Sequence, residues 1–142
     1  AGKNQGISKH DAVVTAEGLV GEVTKVASNV AQVTLLSDDS GAVSVLDIKT
    51  NASGIAQQGI SDSLTVDQVT KDQVVNRGDV LVTAGWRSGD LSSLYPRGVQ
   101  VCQVTQVGQS DTDLYKQIQC NPFVRFSTLE AVIVLVRKAE TK

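Results

Sequence analysis

The sequence predicts an all-β protein: two small β-barrels packed side by side and related by an internal repeat. Three observations predict it. Valine supplies 23 of the 142 residues, and β-branched side chains suit a pleated, half-buried strand better than a helix. Apolar and polar residues alternate with period two along the apolar stretches, while 3.6-residue periodicity is nearly missing. Clusters of Gly, Asn, Asp and Ser interrupt the alternation at short intervals, as in "SDDSG", "TNASG", "NRGD" and "GQSDTD".

Taken in order, strands are predicted at Asp11–Thr15, Leu19–Val26, Ala31–Leu36, Ala42–Ile48 and Gly54–Ala56 in the first half. Further strands are predicted at Leu64–Val66, which ends the first half, and at Val80–Thr83, Val99–Val107, Tyr115–Cys120 and Ala131–Arg137. Only "VTKDQV" and "FSTLEA" could carry a helical turn. Ten short strands with frequent turn signals suit small barrels or a sandwich.

The chain also repeats itself. "DAVVTA" at Asp11–Ala16 matches "DVLVTA" at Asp79–Ala84, and "GLVGEV" at Gly18–Val23 is followed later by "GVQVCQV" at Gly98–Val104. Between the second pair lies an inserted loop, "GWRSGDLSSLYPR" (Gly85–Arg97). Two structural units, one with a decorated loop, account for this pattern. A strand-only unit must dispose of its sheet edges, and closing into a barrel does so. The reading divides the chain into a first barrel at 1–66, a second at 67–137 and a tail at 138–142. Which barrel takes the last strand, "AVIVLV", stays open.

Composition bounds the function. Hydrophobic residues make up 41% and charged residues 20% of the chain, with a formal charge of −2. That is a globular composition. The scattered basic residues argue against nucleic acid, which needs a basic stripe to displace counterions. The longest apolar run, Ala131–Val136, is far too short to span a bilayer. The chain opens on "AGKNQG", with neither an initiator Met nor a signal peptide. It reads as a fragment or processed form from which a membrane anchor could have been cut.

"GLVGEV", "SDDSGAVSV" (Ser37–Val45), "GDVLVTAG" (Gly78–Gly85), "YPRGVQVCQV" (Tyr95–Val104) and "FSTLEAVIVL" (Phe126–Leu135) together resemble the extracytoplasmic core of the MreC rod shape-determining family. "GDVLVTAG" is the most specific of these matches, and the similarity runs in order along nearly the whole chain. The resemblance implies two β-barrels, with an upstream transmembrane helix and coiled coil outside this chain. It implies a non-catalytic scaffold of cell-wall elongation on the outer face of the bacterial cytoplasmic membrane. The implied partners are a class B penicillin-binding protein, MreD with the MreB system, and further copies of the chain. The chain departs from the family at Cys102 and in its long "GWRSGDLSSLY" loop.

Cys102 and Cys120 flank the turn "GQSDTD". Folding Val99–Val107 onto Tyr115–Cys120 with Val107 opposite Tyr115 sets Val104 against Ile118 and Cys102 against Cys120. The glutamines Gln103 and Gln119 then share the other face. Directly opposed residues are within disulfide range, and an exported domain sits where disulfides persist. The alternative is a reduced, buried pair acting as small apolar residues.

Reaction chemistry finds little support. "DDSGA" (Asp38–Ala42) resembles a serine-protease nucleophile turn, and those proteases also use two barrels. A hydrolase needs a His base beside Ser40, yet the single histidine, His10, lies in the same half of the chain rather than in the opposite barrel. A turn using Asp and Ser for backbone hydrogen bonds is the simpler reading. One His and two Cys eighteen residues apart make no metal-ligand spacing. The glycines match no nucleotide fingerprint, so neither a cofactor nor a catalytic residue is expected.

The loop Gly85–Arg97 is the candidate binding element. Trp86, Arg87, Leu94, Tyr95 and Arg97 include the residue types enriched at binding hot spots. The alternative is that Trp86, Leu91, Leu94 and Tyr95 fold back and plug the second barrel. A second functional class, a carbohydrate- or peptidoglycan-binding β module, would rest on Trp86 and Tyr95 as its exposed aromatics. The polar positions Gln100, Gln103 and Gln106 are read as a solvated face or an edge. Phe123, Phe126 and Leu129 are read as core.

Overall fold

Each of the ten alternating stretches forms a strand in the computed structural model, which describes residues 2–39, 41–85, 97–110, 112–129 and 132–135. The strands are β1 (Ala12–Val14), β2 (Leu19–Val26), β3 (Ala31–Leu35), β4 (Ala42–Asp47) and β5 (Ser53–Gln58), then β6 (Leu64–Asp67), β7 (Val80–Thr83), β8 (Gln100–Gly108), β9 (Gln117–Pro122) and β10 (Ile133–Leu135). Of the two segments expected to carry a helical turn, one does: Phe126–Thr128 is a 3-10 turn. "VTKDQV" instead makes a tight turn closed by the Gln73 N–H on the Thr70 carbonyl, at 3.1 Å. A further 3-10 turn at Lys3–Gln5 was not anticipated.

Six strands close into a barrel in the order β4-β5-β6-β9-β8-β7, and the other four form a sheet in the order β10-β1-β2-β3. Among the described residues there is thus one closed barrel beside an open sheet, where the sequence suggested two closed barrels. The expected division between residues 66 and 67 cuts through β6 and does not separate the sheets. The physical reason is strand number: β7, β8 and β9 are too few to close alone, so they recruit β4, β5 and β6 from the first half. The last strand crosses back, β10 pairing with β1 through Ala12↔Leu135, Val13↔Val134 and Val14↔Ile133. The tail at 138–142 lies outside the described residues.

The internal repeat is real and reaches further than its sequence signal. In β1–β2, Ala12 pairs with Glu22, Val13 with Gly21 and Val14 with Leu19. In β7–β8 the same pattern reads Val80↔Gln103, Leu81↔Cys102 and Val82↔Gln100. Each copy therefore carries a bulge at the same place, at Val20 and at Val101. A second bulge recurs at Thr24 in β2–β3 and at Thr105 in β8–β9. There the Thr24 hydroxyl donates to the Gln32 carbonyl and the Thr105 hydroxyl to the Gln119 carbonyl, both at 3.3 Å. The entry turns match too. Asp11 accepts the Ser8 N–H at 2.8 Å and Asp79 the Asn76 N–H at 3.0 Å. The preceding residues, His10 (φ 77) and Gly78 (φ 93), share a left-handed backbone. β10 lies against β1 as β4 lies against β7, with Val134 opposite Val13 and Asp47 opposite Leu81. The open sheet is the barrel without its two closing strands.

In place of those strands, irregular segments cover the sheet. Ile7 and Val124 are buried with Val13, Val20 and Val23, and Phe126 and Leu129 pack against them. The barrel interior holds Leu64, Leu81, Val101, Val104, Ile118 and both cysteines. Phe126 packs against both apolar clusters, and the larger one itself runs from the barrel into the sheet through Ala12 and Leu19; Phe123 is half-buried. The bodies meet closely at Gly18, where a Cβ would overlap the Gln100 carbonyl oxygen and lie 3.6 Å from the Phe123 Cβ.

Candidate interaction site

The strand pair β7–β8 leaves the barrel wall at Thr83 and returns at Val99. Thr83 N–H donates to the Val99 carbonyl at 2.8 Å, Gly98 N–H to the Thr83 carbonyl at 3.0 Å, and Val99 N–H to the Thr83 hydroxyl at 2.9 Å. Above this clamp the stems draw together, because a Cβ on Gly85 would stand 2.6 Å from the Cβ of Arg97. The candidate loop springs from this point, beside the Gly18–Gln100 contact where sheet and barrel meet. Of the five candidate anchors, Arg97 is exposed at the stem. Trp86, Arg87, Leu94 and Tyr95 lie outside the described residues, as does Ser40 of the rejected hydrolase turn.

Cys102 and Cys120 are joined by a disulfide with their Cα atoms 5.6 Å apart, and both are fully buried in the barrel core. The expected hairpin register is corrected. Val107 pairs with Ile118, Val104 with Cys120 and Cys102 with Pro122, so the bonded cysteines are diagonal neighbours rather than opposed ones. The slip is set at the turn, where Gly108 already pairs with Gln117 and the residues before Gln117 leave the hairpin; the bulge at Thr105 then takes back one of the three residues of shift. Tyr115 is displaced into the turn and bridges to Thr70.

The same bulges explain the glutamines. Gln100, Gln103 and Gln106 recur every third residue, a spacing that period two cannot put on one face. Bulges at Val101 and Thr105 rephase β8, so all three are exposed while Val101, Cys102 and Val104 are buried. The outer barrel wall then carries a cross-strand row, Gln57–Thr65–Gln119–Gln106, set by the pairings of β5, β6, β9 and β8.

Asp11, Asp47 and Asp79 are buried carboxyl groups that the sequence did not reveal, and the last two meet. Asp47, at the end of β4, and Asp79, just before β7, are both buried. Oδ1 of Asp47 accepts the N–H groups of Lys49 (2.8 Å) and Thr50 (3.2 Å), while its buried Oδ2 has no donor directed at it. Burial, and then a hydrogen bond to Asp79, push the Asp47 carboxyl above its ordinary range. The hydrogen bond from Asp47 holds Asp79 below that range, with help from the Asn76 N–H. Between the two displaced values the pair holds one proton. The matching aspartates of the repeat were the available signal, since Asp11 and Asp79 open its two copies.

His10 pairs with Glu22 at 3.3 Å on the open sheet. Among the described residues no three His, Cys, Asp or Glu side chains come together as a metal site. No helix among them is long and apolar enough to cross a membrane.

Comparison with known proteins places this architecture. Residues 1–136 match the family described as rod shape-determining protein MreC, barrel core. The cell shape-determining protein MreC of Haemophilus influenzae is 26% identical over 135 residues, which cover 94% of this chain and 37% of that protein. The chain thus spans little more than a third of the length of that relative. A solved structure of MreC from Listeria monocytogenes superposes with a TM-score of 0.83 at 32% identity, covering 99% of this chain and 67% of that one. The fold is also similar to a chain in the complex between penicillin-binding protein PBP2 and MreC from Helicobacter pylori, with a TM-score of 0.65 at 22% identity over 80% of this chain and 68% of that one. With the family match running across the sheet, the barrel and both copies of the repeat, the chain belongs to the family of the rod shape-determining protein MreC, of which it carries the barrel core.

Proposed function

We propose that this chain is the extracytoplasmic core of a non-catalytic scaffold for cell-wall elongation. A preceding segment would tether it to the cytoplasmic membrane. In this reading it docks a class B penicillin-binding protein, works with MreD and the MreB system, and associates with further copies of itself. The observation that carries the reading is the Helicobacter pylori complex, in which a protein of this fold is bound to a penicillin-binding protein. Two features of the chain support it. The loop stems at Gly85 and Arg97, which bracket a Trp- and Arg-containing stretch of the sequence, stand at the sheet–barrel junction. Among the described residues the sheet has two outer edges, on β10 and β3, and open edges accept added strands, which is a route to self-association.

The test is capture of a purified penicillin-binding protein ectodomain by the immobilised chain, compared with Trp86→Ala and Arg87→Ala variants. Wild type retains the ectodomain, while the variants keep their thermal midpoint and lose it. A variant that unfolds early assigns the loop to plugging the barrel. Failure of wild type to retain any class B ectodomain sinks the docking role.

A further inference from the structure

Beside β9, on the side of the barrel away from the Gly85–Arg97 loop stems, the outer wall forms an open groove of about 430 Å³. Its floor is the carboxamide row. Thr65, Gln119 and Gln106 lie side by side on β6, β9 and β8, and with Gln57 the row crosses four strands, roughly 14 Å of wall. One step along, Gly108 stands opposite Gln117 with no side chain of its own, which leaves the floor open there. The segment Asp113–Lys116 makes the rim.

The rim is held in place. Tyr115 bridges to Thr70, and the Lys116 N–H donates to the Val69 carbonyl at 2.8 Å. Tyr115 is nevertheless 45% exposed, so its backbone is fixed while its ring remains available. The carboxylates nearby are already engaged: Gln57 Nε2 donates to Asp67, and Gln117 Nε2 donates to Asp113 at 2.8 Å. Gln106 and Gln119 make no side-chain hydrogen bond within the described residues and present both donors and acceptors outward.

This chemistry discriminates between occupants. A protein partner is met by an apolar centre rich in aromatic and Arg side chains. A nucleic acid is met by a basic stripe. The groove has no basic stripe, Lys116 being its single basic group against Asp67 and Asp113, and its floor is polar; its exposed apolar side chains, Leu114 and Tyr115, stand on the rim. Uncharged carboxamides that both donate and accept, beside one positioned aromatic ring, suit a neutral polyhydroxylated chain. We propose that this groove is a glycan-binding site, with Gln106, Gln117 and Gln119 bonding hydroxyl or acetamido groups and Tyr115 stacking on a sugar face. The site is separate from the loop proposed to dock a protein, so each can fail without the other.

The test uses the intact chain, with chitohexaose as a soluble probe and purified cell-wall sacculi as an insoluble one. Titration followed by amide chemical shifts is expected to move resonances of β9 and residues 113–119. Tyr115→Ala and Gln119→Ala should each weaken chitohexaose binding about fivefold to tenfold. Both variants should keep the thermal midpoint and the capture of the penicillin-binding protein ectodomain. Wild type that neither shifts with millimolar chitohexaose nor sediments with sacculi overturns the proposal. So does Tyr115→Ala binding as well as wild type, and so does loss of ectodomain capture in these variants without any glycan binding by wild type, which would assign the groove to a protein.

Discussion

The carboxyl groups of Asp47 and Asp79 lie within hydrogen-bonding reach of each other where β4 meets β7, and the barrel buries both. The fold favours Asp47 protonated, so its contribution to stability is complete below the ordinary value of 3.8 and is lost as pH rises through its raised pKa. It favours Asp79 ionised, so that contribution is present above 3.8 and is lost as pH falls through its lowered pKa. Stability is therefore greatest between the two values, where one proton bridges the pair. Urea unfolding across the acid-to-neutral range should show the midpoint falling as pH climbs out of that window. Asp47→Asn keeps the acceptor for Lys49 and Thr50 and supplies a permanent N–H toward Asp79, so the fall should vanish. A variant with the wild-type pH slope would show that the pair does not hold the proton.

The two bulge threonines offer a matched perturbation of the repeat. Thr105 donates to the Gln119 carbonyl in a partly buried setting, and Thr24 donates to the Gln32 carbonyl in an exposed one. Thr105→Val should cost about 1 kcal/mol, the net worth of such a bond. Thr24→Val removes the donor to Gln32 and the acceptor of the Thr34 hydroxyl, and should still cost less, because water reaches this site and replaces both. The sites lie in different bodies, so the double variant should show the sum of the two. Denaturant unfolding of the three variants measures this, and equal losses at both sites would refute the role of burial.

The barrel-core disulfide closes a loop between residues 18 apart in sequence. Chain-entropy arguments give such a loop about 3 kcal/mol. Cys102→Ala with Cys120→Ala should lower stability by about that amount and add a small cavity term. Both sulfurs are buried, so reductant should act on the native protein slowly and on the unfolded protein quickly. Mass spectrometry after alkylation, with and without urea, follows both rates. Prompt alkylation of the native chain without reductant would mean the cysteines are free.

What the sequence could and could not reveal follows from the range of each interaction. Strand positions were legible because alternation is local, and the repeated hairpin because "DAVVTA" and "DVLVTA" share residues. The bulges were legible only indirectly. Glutamines at 100, 103 and 106 break period two, and that break marks the bulges; the Cys102–Cys120 register differs from the expected one because Tyr115 leaves the hairpin to bridge to Thr70. Closure was not legible. The recruitment of β4, β5 and β6 by β7–β9, and the return of β10 to β1, depend on pairings between residues some 35 to 120 apart in the chain, where nothing local records the partner. Asp47 escaped notice because a carboxylate at a strand end reads as solvated until its neighbour, Asp79, is placed beside it. The groove at Tyr115 was illegible for the related reason that β6, β8 and β9 come together only in the folded wall.

Gly21 and Cys102 occupy the same place in the two copies of the repeat, opposite Val13 and Leu81. The chain can use a side chain at one and not at the other. In the barrel, Cys102 points into the core and is covered by Cys120. In the sheet, β3 runs so close to β2 that a Cβ on Gly21 would overlap the Thr34 carbonyl oxygen and stand 3.0 Å from the Leu35 Cα. Those neighbours are backbone atoms and cannot swing aside as a flexible side chain would. Gly21→Ala should therefore destabilise by about 1–3 kcal/mol, the usual cost of overpacking. The loss should fall on the sheet: amide exchange at β2 and β3 should speed up while that of the barrel strands stays protected. Cys102→Ala, at the equivalent position, should show the opposite pattern. Uniform acceleration across both bodies in either variant would mean that sheet and barrel open together, with the Gly18–Gln100 and Phe126 contacts coupling them into one cooperative unit.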